Sequence, residues 1–446
     1  MIHPCLRRLG LAVALTGVAL LSHLGTAATD PAPPNIILIV VDDLGYGELG
    51  CYPAFESNRV HTPNIDRLAR RGIRMTDGYA AHPMCWPSRA SLLTGRYYQR
   101  FLKGTVIPET ETLLGQHLKK AGYVTACVGK WHNTGSIGAW NGNPADHPLG
   151  RGFDEFFGFL GGMHDYFEAD VGTHWLQGRN RPYYMPIYDG TQPVRKVKYL
   201  TEEFTSRAVD FIERHARRPW PFFLYLSYNA IHTPEQAPEK YLQRHQGDKR
   251  RAMIDALDEG IGRLLDTLKR LQIDQGTMVW FVGDNGGWRR AANWKLRSTK
   301  GNWFEGGLRV PFIVSWPKQL PEGQDFSMPM MHIDVVPTIL AAASLKRPRN
   351  LDGQNLLPHW LGEAKDPPHE VLFWGDPGGS RFAARRGDWK LVSERISRQG
   401  RPELGLYQLS SDLEESKNQV QTKPDRVRQL QGMWNQWAQR IAQERE

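Results

Sequence analysis

Cysteine is scarce in this chain, which has four cysteines among 446 residues. Cys5 lies in an N-terminal segment that we expect to be removed, so Cys51, Cys85 and Cys127 remain. Three cysteines do not make a disulfide framework in a chain of this length. The sequence also lacks a Cys-x-x-Cys pair, which argues against a thiolate zinc site. Each remaining cysteine therefore needs its own explanation.

Long hydrophobic runs are also few. Leu9–Leu21 is apolar, follows Arg7 and Arg8, and precedes small residues near Ala28. This pattern is typical of a secretory signal peptide, and the run is too short to predict a membrane span. We expect cleavage after residues 1–28, although an uncleaved N-terminal anchor is the alternative. The mature chain is then expected to be exported, either periplasmic or secreted, and without membrane association.

Acidic residues are fewer than basic ones, 47 against 56, and the net charge is +9. Removal of residues 1–28, which carry two arginines and no acids, lowers that charge by two. A basic exported protein attracts polyanions over a long range. Charge alone would suit nucleic acid equally well, but the sequence contains no nucleic-acid-binding module and no clustered basic stripe. We therefore expect an anionic substrate and no nucleic-acid partner.

Buried-strand and helix patterns alternate along most of the chain. Continuous apolar runs, typical of strands buried on both faces, occur at Asn35–Val41, Tyr123–Val128, Phe222–Tyr228, Thr277–Val282 and Pro311–Ser315. Helical patterns lie between them at Thr62–Arg71, Thr112–Ala121, Glu202–His215 and Lys249–Leu271. This alternation predicts an α/β fold with a large, doubly wound, mostly parallel sheet flanked by helices.

The pattern changes near residue 365. Short strand patterns follow at Glu370–Gly375, Ser380–Arg385, Trp389–Val392 and Leu404–Gln408, and an amphipathic helix covers about 423–444. They predict a smaller C-terminal antiparallel sheet with one helix, whose Trp434 and Trp437 are expected to pack rather than bind ligand. We therefore divide the chain into a signal peptide (1–28), a large α/β domain (29–364) and a small α+β subdomain (365–446).

Polar side chains follow four of the predicted strands. They are Asp42 and Asp43, Lys130 and His132, His232, and Asp284 and Asn285. Because ligands of open α/β sheets bind beyond the carboxyl ends of the strands, we expect these side chains to gather at one edge. Asp42, Asp43, Asp284 and Asn285 offer only oxygen ligands, which favours Ca²⁺ or Mg²⁺ over zinc. A single aspartate after a strand is more often a turn or cap residue.

Cys85 stands immediately before a predicted helix start. Proline is favoured in the first turn of a helix, and Pro87 and Ser88 fit that place. Helix N-termini present free N–H groups that attract anions, so a nucleophile at position 85 would face an anionic group near Arg89. A lone cysteine is usually an inert buried thiol. The surrounding twelve residues overturn that expectation.

The run from Cys85 to Arg96, CWPSRASLLTGR, resembles the signature C-x-P-S-R-x-x-x-L-T-G-R of the type I sulfatases, arylsulfatase-like members of the alkaline phosphatase superfamily. The likeness extends from Asn35 to about Trp437. It includes Asp42–Gly50, Gly129–His132, His232–Pro234, Asp284–Gly287, Lys300-Gly301 and Glu305–Pro311. One departure is Glu48, which replaces an aspartate common in the first motif, and we expect little consequence from it.

The resemblance implies that a formylglycine-generating or sulfatase-maturating enzyme oxidises Cys85 to formylglycine, whose hydrated aldehyde attacks sulfur. It implies a metal, most readily Ca²⁺ with Mg²⁺ as the alternative, held by Asp42, Asp43, Asp284, Asn285 and residue 85. Arg89 would help to deprotonate the diol. Lys130, Lys300 and His232 would bind the sulfate, and His232 or Lys300 would protonate the leaving alcohol. His132 would act as the base that regenerates the aldehyde.

The residues that follow Asp284 and Asn285 are predicted to contact the substrate beyond its sulfate, and among them we select Asn293 and Arg297. The predicted function is that of an exported sulfatase acting on a sulfated carbohydrate or polysaccharide fragment. One alternative is a phosphomonoester or phosphonate hydrolase on the same fold. Another is a protein that binds sulfated glycans without cleaving them, with Cys85 unconverted.

Overall fold

The computed structural model describes Met1 and residues 33–56, 60–101, 104–134, 140–169, 186–375, 378–395 and 400–444. Apart from Met1, the predicted signal peptide lies outside these residues. Pro33–Glu446 makes up one compact unit. None of the helices in the described ranges combines the length and the apolar character needed to span a membrane.

A ten-stranded mixed sheet forms the centre of this unit. Its strands, in chain order, are β1 (Asn35–Val41), β2 (Ile73–Met75), β4 (Val124–Lys130), β5 (Glu155–Phe159), β6 (Tyr188–Asp189), β7 (Gln192–Pro193), β8 (Phe222–Ser227), β9 (Thr277–Gly283), β10 (Phe312–Ser315) and β11 (Gln324–Phe326). Their spatial order is β11-β2-β10-β9-β1-β8-β4-β5-β6-β7. Two short strands, β3 (Gly78–Tyr79) and β12 (Met330–Met331), pair separately.

The sheet is parallel where its strands are longest. β1 lies between β8 and β9 and is parallel to both, with Ile36 opposite Phe223 on one side and Met278 on the other. β4 is parallel to β8 and β5, whereas β10 is antiparallel to β9. Alternate residues of β1 enter the two hydrophobic cores on opposite faces of the sheet. Burial on both faces explains the continuous apolar run, and the predicted α/β class is confirmed.

Helices cover the two faces of the sheet. The helices of the larger part are α1 (Pro63–Arg70), α2 (Cys85–Thr94), α3 (Leu114–Lys120), α4 (Leu200–His215), α5 (Glu239–Arg244), α6 (Lys249–Arg270), α7 (Glu305–Leu308), α8 (Val335–Ala342) and α9 (Leu357–Trp360). The four helices predicted from periodicity correspond to α1, α3, α4 and α6, with ends displaced by a few residues at most.

A second sheet follows toward the C-terminus. It is a four-stranded antiparallel sheet of β13 (Leu372–Gly375), β14 (Phe382–Arg386), β15 (Trp389–Glu394) and β16 (Glu403–Gln408), followed by α10 (Pro424–Gln443). The helix packs on it through stacked rings of Phe382 and Trp434, 4.7 Å apart, and Trp437 is also buried. The predicted small sheet with one helix is therefore confirmed. Its division from the larger part at residue 364 stays a prediction.

Candidate active site

The carboxyl ends of β1 and β9 bring the predicted acidic residues together. Val41 and Gly283 are paired across these strands, so Asp42 and Asp284, the residues that follow them, are neighbours. The backbone N–H of Asp284 donates to Val41 O at 3.0 Å. The N–H of Asp43 donates to Asp284 Oδ1 at 3.3 Å. All three carboxylates are buried, because the two strands end inside the molecule.

Cys85 is the first residue of α2 and reaches the same place. Its Sγ, an oxygen of Asp42 and an oxygen of Asp284 all lie within 4.8 Å of one another. Burial raises the pKa of the Cys85 thiol, although the ammonium groups of Lys130 and Lys300 oppose that shift. An unmodified thiol is therefore held in its protonated, weakly nucleophilic form at the centre of the cluster.

Each carboxylate of the cluster has a cationic partner. Lys130 Nζ donates to Asp42 Oδ2, and Lys300 Nζ donates to Asp43 Oδ1 at 2.5 Å. Arg89 lies one turn into α2, and its Nε donates to Asp284 Oδ2 at 2.8 Å. Because these ions are buried, each cation attracts its carboxylate more strongly than it would in water.

Several oxygens at this edge nevertheless lack a partner. Asp42 Oδ1, Asp43 Oδ2 and Asn285 Oδ1 are buried and accept no hydrogen bond from any described residue. Asn285 Nδ2 donates to Asp43 Oδ1 at 2.8 Å, so its amide is oriented by a second member of the set. A buried acceptor without a donor costs about 1–3 kcal/mol, so such atoms need an explanation. Three unpartnered oxygens fit a hard divalent cation.

The charges of the acids depend on their neighbours. Burial alone would raise the pKa of Asp43, but Lys300 and His232 outweigh it and hold that pKa below its ordinary value. Burial raises the pKa of Asp284 above its ordinary value. The adjacent charge of Asp42 raises this pKa further, whereas the positive charge of Arg89 lowers it. Repulsion between the two neighbouring carboxylates is therefore not fully balanced by the protein, which again favours a cation between them.

Two histidines border the cluster. His232 Nε2 lies 3.8 Å from Asp43 Oδ2, and its Nδ1 is 2.7 Å from Thr233 O. Burial is the main cause that lowers the pKa of His232 to about 4. Burial and the charges of Lys130 and Arg89 lower the pKa of His132 well below 6.5. Both rings are therefore neutral near pH 7, and His132 Nδ1 has no hydrogen-bond partner among the described residues.

Some residues that organise the site are not evident from sequence. Ser227 at the end of β8 accepts from Arg89 Nη1 at 2.5 Å and donates to Lys130 O at 2.6 Å. Buried His332 lies between Ser88 and Gly283. Its Nδ1 is 2.8 Å from Ser88 Oγ, and its Nε2 is 2.9 Å from the carbonyl oxygen of Gly283. These contacts fix α2 against the strand ends.

Glu48 is a third residue whose role was not evident from the sequence. Its carboxylate is 97% buried, and it pairs with Arg250 of α6 through bonds of 2.5 and 2.8 Å. Arg250 Nη2 also donates to Asp43 O at 2.7 Å. Asp43 has a φ of +59°, a conformation that is costly for a residue other than glycine. The Glu48–Arg250 pair thus holds the turn that presents Asp43.

Asn293 and Arg297, predicted as substrate contacts, have partners within the chain. Asn293 Nδ2 donates to Ser298 O at 3.0 Å. Arg297 Nη1 donates to Glu415 O at 2.7 Å, and its guanidinium lies over the Phe304 ring, 4.0 Å from the ring centre. These contacts organise the segment before α7, and a substrate role for either residue stays a prediction. Arg289, in the same stretch, is exposed.

The fold and this edge define an α/β protein whose strand ends carry a buried cluster of carboxylates and cations beside a cysteine at a helix start. The sulfatase family model matches residues 34–345. A second model, for the C-terminal part of N-sulphoglucosamine sulphohydrolase, matches residues 299–443. The chain belongs to the sulfatase family, and it is a sulfuric ester hydrolase.

Known proteins agree with this assignment over most of the chain. Human N-acetylgalactosamine-6-sulfatase is 36% identical over 400 residues, which cover 82% of this chain and 72% of that protein. The crystal structure of Ps i-CgsB in complex with k-i-k-neocarrahexaose is 33% identical in sequence and has a TM-score of 0.81. The match covers 91% of this chain and 93% of that chain. The phosphonate monoester hydrolase of Agrobacterium radiobacter shares the fold alone. It is 18% identical, with a TM-score of 0.64, and the match covers 92% of this chain and 95% of that chain.

Proposed function

We propose that this chain removes sulfate from a sulfated carbohydrate through residue 85, after Cys85 has been converted to formylglycine. The observation that carries the proposal is the position of Cys85 at the start of α2, beside Asp42 and Asp284. Carbohydrate is the substrate class that the relatives support. One is named as an N-acetylgalactosamine-6-sulfatase, and another was crystallised with a neocarrahexaose.

We infer that Asp42, Asp43, Asp284 and Asn285 hold a Ca²⁺ or Mg²⁺ ion together with residue 85. The unpartnered oxygens of Asp42, Asp43 and Asn285 support this ligand set. A cation bound there would act as a Lewis acid and would lower the pKa of an oxygen placed against it. Lys130 and Lys300 lie beside this site, and each is paired with one of the carboxylates.

Lys130 and Lys300 are placed to bind the sulfate. Lys130 is fully buried and Lys300 is 93% buried, so water screens their charges weakly. His232 lies at the more open side of the cluster, with 14% of its side chain exposed. This arrangement supports a sulfate held between the two ammonium groups, with the leaving alcohol toward His232. Of the two predicted proton donors, Lys300 has its pKa held above the ordinary value, whereas the His232 ring is neutral near pH 7 and must be protonated before it can act as the acid.

A formylglycine diol at position 85 would supply an oxygen nucleophile and a second hydroxyl on the same carbon, so that sulfate can leave without attack of water on sulfur. Arg89 keeps its positive charge throughout, because a guanidinium is not deprotonated in proteins. It therefore stabilises negative charge at residue 85 and orients Asp284. His132 is neutral, so its ring can accept a proton, which suits the predicted base.

Mass spectrometry of the peptide that contains residue 85 tests this proposal. We expect the aldehyde in place of the thiol in protein from its native source, and turnover of sulfated saccharides well above that of matched phosphate esters. Cys85→Ser should abolish multiple turnover, whereas the control Cys51→Ser should retain it. A plain thiol in the native protein would instead indicate the binding protein, and faster turnover of phosphate or phosphonate esters would indicate the other hydrolase.

We also propose that the protein is exported after cleavage near Ala28. The apolar run after Arg7 and Arg8 supports this proposal. N-terminal sequencing of the protein recovered outside the cytoplasm should begin close to residue 29. An intact Met1 in that fraction would contradict the cleavage.

A further inference from the structure

The segment that carries Lys300 rests on both halves of the proposed active site. The backbone N–H of Lys300 donates to Gly287 O at 3.0 Å, next to the stretch that begins with Asp284. The N–H of Gly301 donates to Pro83 O at 2.8 Å, two residues before Cys85. The main-chain position at Lys300 is therefore tied to the acidic residues and to the nucleophile at the same time.

The other side of this segment is held by the C-terminal sheet. Arg381 Nη2 donates to Gly301 O at 2.8 Å. Glu394 Oε2 accepts from the backbone N–H of Trp303 at 2.9 Å. Thus the carbonyl of Gly301 accepts from a guanidinium, and the N–H of Trp303 donates to a carboxylate. Contacts with such charged groups are stronger than those between neutral groups.

Arg381 and Glu394 also bind each other. Two bonds join them, of 2.6 Å from Nε to Oε1 and 2.8 Å from Nη2 to Oε2. Phe382 of β14 is opposite Ser393 of β15, so the residues just beyond them, Arg381 and Glu394, lie side by side. The Glu394 side chain is 99% buried and the Arg381 side chain is 35% exposed. Two parallel charged bonds fix the relative orientation of the two groups. The pair is therefore a rigid support.

Such a support matters because the segment itself is not stiff. Gly301 has a φ of +88°, which glycine adopts readily but which does not restrict the chain. Lys300 has a long side chain with many rotamers, and its Nζ must reach Asp43 Oδ1 at 2.5 Å. A displacement of about 1 Å at a reacting group can reduce a rate on the order of 10²-fold.

We propose that Arg381 and Glu394 are positioning residues for Lys300, which they hold in place through Gly301 and Trp303. The inference rests on the proposed function, since it takes Lys300 as a sulfate-binding group. The C-terminal sheet then contributes to turnover through this pair without touching the sulfate. The contribution is made through the main chain, so it is expected in kcat more than in KM.

Variants of Arg381 test the proposal. Arg381→Gln removes the charged donor to Gly301 O, and we expect kcat to fall about ten- to hundredfold, with a smaller change in KM. Arg381→Lys keeps a positive charge beside Glu394. A single ammonium does not reproduce the parallel N–H donors of the guanidinium, so we expect an intermediate loss of kcat. The matched control is Arg386→Gln at the other end of β14, which breaks an exposed pair with Glu370. It should turn over like the wild type.

A second background separates positioning from a general loss of structure. In Lys300→Ala protein, Arg381→Gln should cause no further loss of kcat, because the group it positions is gone. The same loss in both backgrounds would overturn the proposal, as would wild-type kcat in Arg381→Gln. Should that variant fail to fold, wild-type kcat in Arg381→Lys would overturn it equally. Full activity of Lys300→Ala alone would instead overturn the role of Lys300 in the proposed function.

Discussion

Two buried clusters of charge lie in this molecule, and they differ in how complete they are. The strand-edge cluster consists of Asp42, Asp43, Asp284 and Asn285 with Arg89, Lys130 and Lys300. The lysine cluster consists of Glu305, Lys390 and Glu415 with Tyr79 and Arg309. Lys390 and Glu305 are both fully buried, and Lys390 Nζ lies 2.8 Å from Glu305 Oε1. Both clusters thus contain carboxylates and lysines that water does not reach.

In the lysine cluster, the chain supplies a hydrogen-bond donor for three of the four carboxylate oxygens. Tyr79 Oη donates to Glu305 Oε2 at 2.7 Å, and the backbone N–H of Glu305 donates to Glu415 Oε2 at 2.6 Å. The remaining oxygen, Glu415 Oε1, accepts no hydrogen bond from the described residues, although Lys390 Nζ lies 3.0 Å from it. The strand-edge cluster, by contrast, leaves oxygens of Asp42 and Asp43 without a donor among the described residues.

The comparison teaches that burial of charge does not by itself mark a functional site. Structural ion networks also perturb pKa values, as the lysine cluster does. Here it joins β15 to α7, which is a structural task. What distinguishes the strand-edge cluster is that three of its buried oxygens, on Asp42, Asp43 and Asn285, lack a donor among the described residues, against one in the lysine cluster.

The largest expected effect is that of Asp284→Asn in the strand-edge cluster. We expect a fall in kcat/KM on the order of 10³-fold, about 4 kcal/mol of transition-state stabilisation, because the variant loses a charge from the proposed metal site. Metal content should fall with it. In the presence of a chelator, the free energy of unfolding should change little, since repulsion from Asp42 is relieved and the amide oxygen still accepts from Arg89. Unchanged activity in protein that has lost its metal would contradict the assignment.

Removing Lys390 should have the opposite effect, a loss of stability without a loss of metal. Lys390→Met leaves Glu305 and Glu415 buried without their lysine, and breaking a buried pair in this way costs roughly 3–5 kcal/mol of unfolding free energy. Equilibrium denaturation measures the loss, with the exposed Lys365→Met as the control. Metal content should not change in protein that remains folded. A loss below about 1 kcal/mol would mean that the lysine cluster is not a structural element, because exposed pairs reach that value.

The smallest effect is a change in pH dependence. Burial raises the pKa of Glu415 from 4.5 to about 7. The positive charge of Lys390 opposes this rise, and the negative charge of Glu305 adds to it. Between those values the folded state binds more protons than the unfolded state, so stability falls as pH rises from about 4.5 to 7. Glu415→Gln should remove that fall, and denaturation midpoints across this range measure it. The exposed Glu363→Gln is the matched control; the same flattening there would refute the explanation.

Much of the fold was predictable because burial leaves a pattern along the chain. The strands β1, β4, β8 and β9 are apolar on both faces, so their runs predicted them to within two residues. β2 and β3 were not predicted, since strands of three and two residues are too short to show a period. β5 (Glu155–Phe159) was also missed, because its pairing with β4 is a long-range contact.

The site was predicted in its residue types more than in its connections. Asp42, Asp284 and Cys85 were expected at one edge, and they lie together there. The contacts of Ser227 with Arg89 and of Glu48 with Arg250 were not foreseen. These partners are separated by 138 and 202 residues, and no local pattern relates them.

Sequence by itself determined which residues follow the buried strands and which cysteine begins a helix, because both depend on local apolar runs and on proline near a helix start. Only the tertiary structure decided which charged groups are completed by the chain. Lys300 and Lys390 are the same residue type, yet Lys300 pairs with Asp43, which keeps one oxygen without a partner among the described residues, whereas Lys390 lies within 3.0 Å of two carboxylates. The number and direction of donors around an oxygen are set by segments far apart in the chain, and the proposed site for metal and sulfate depends on them.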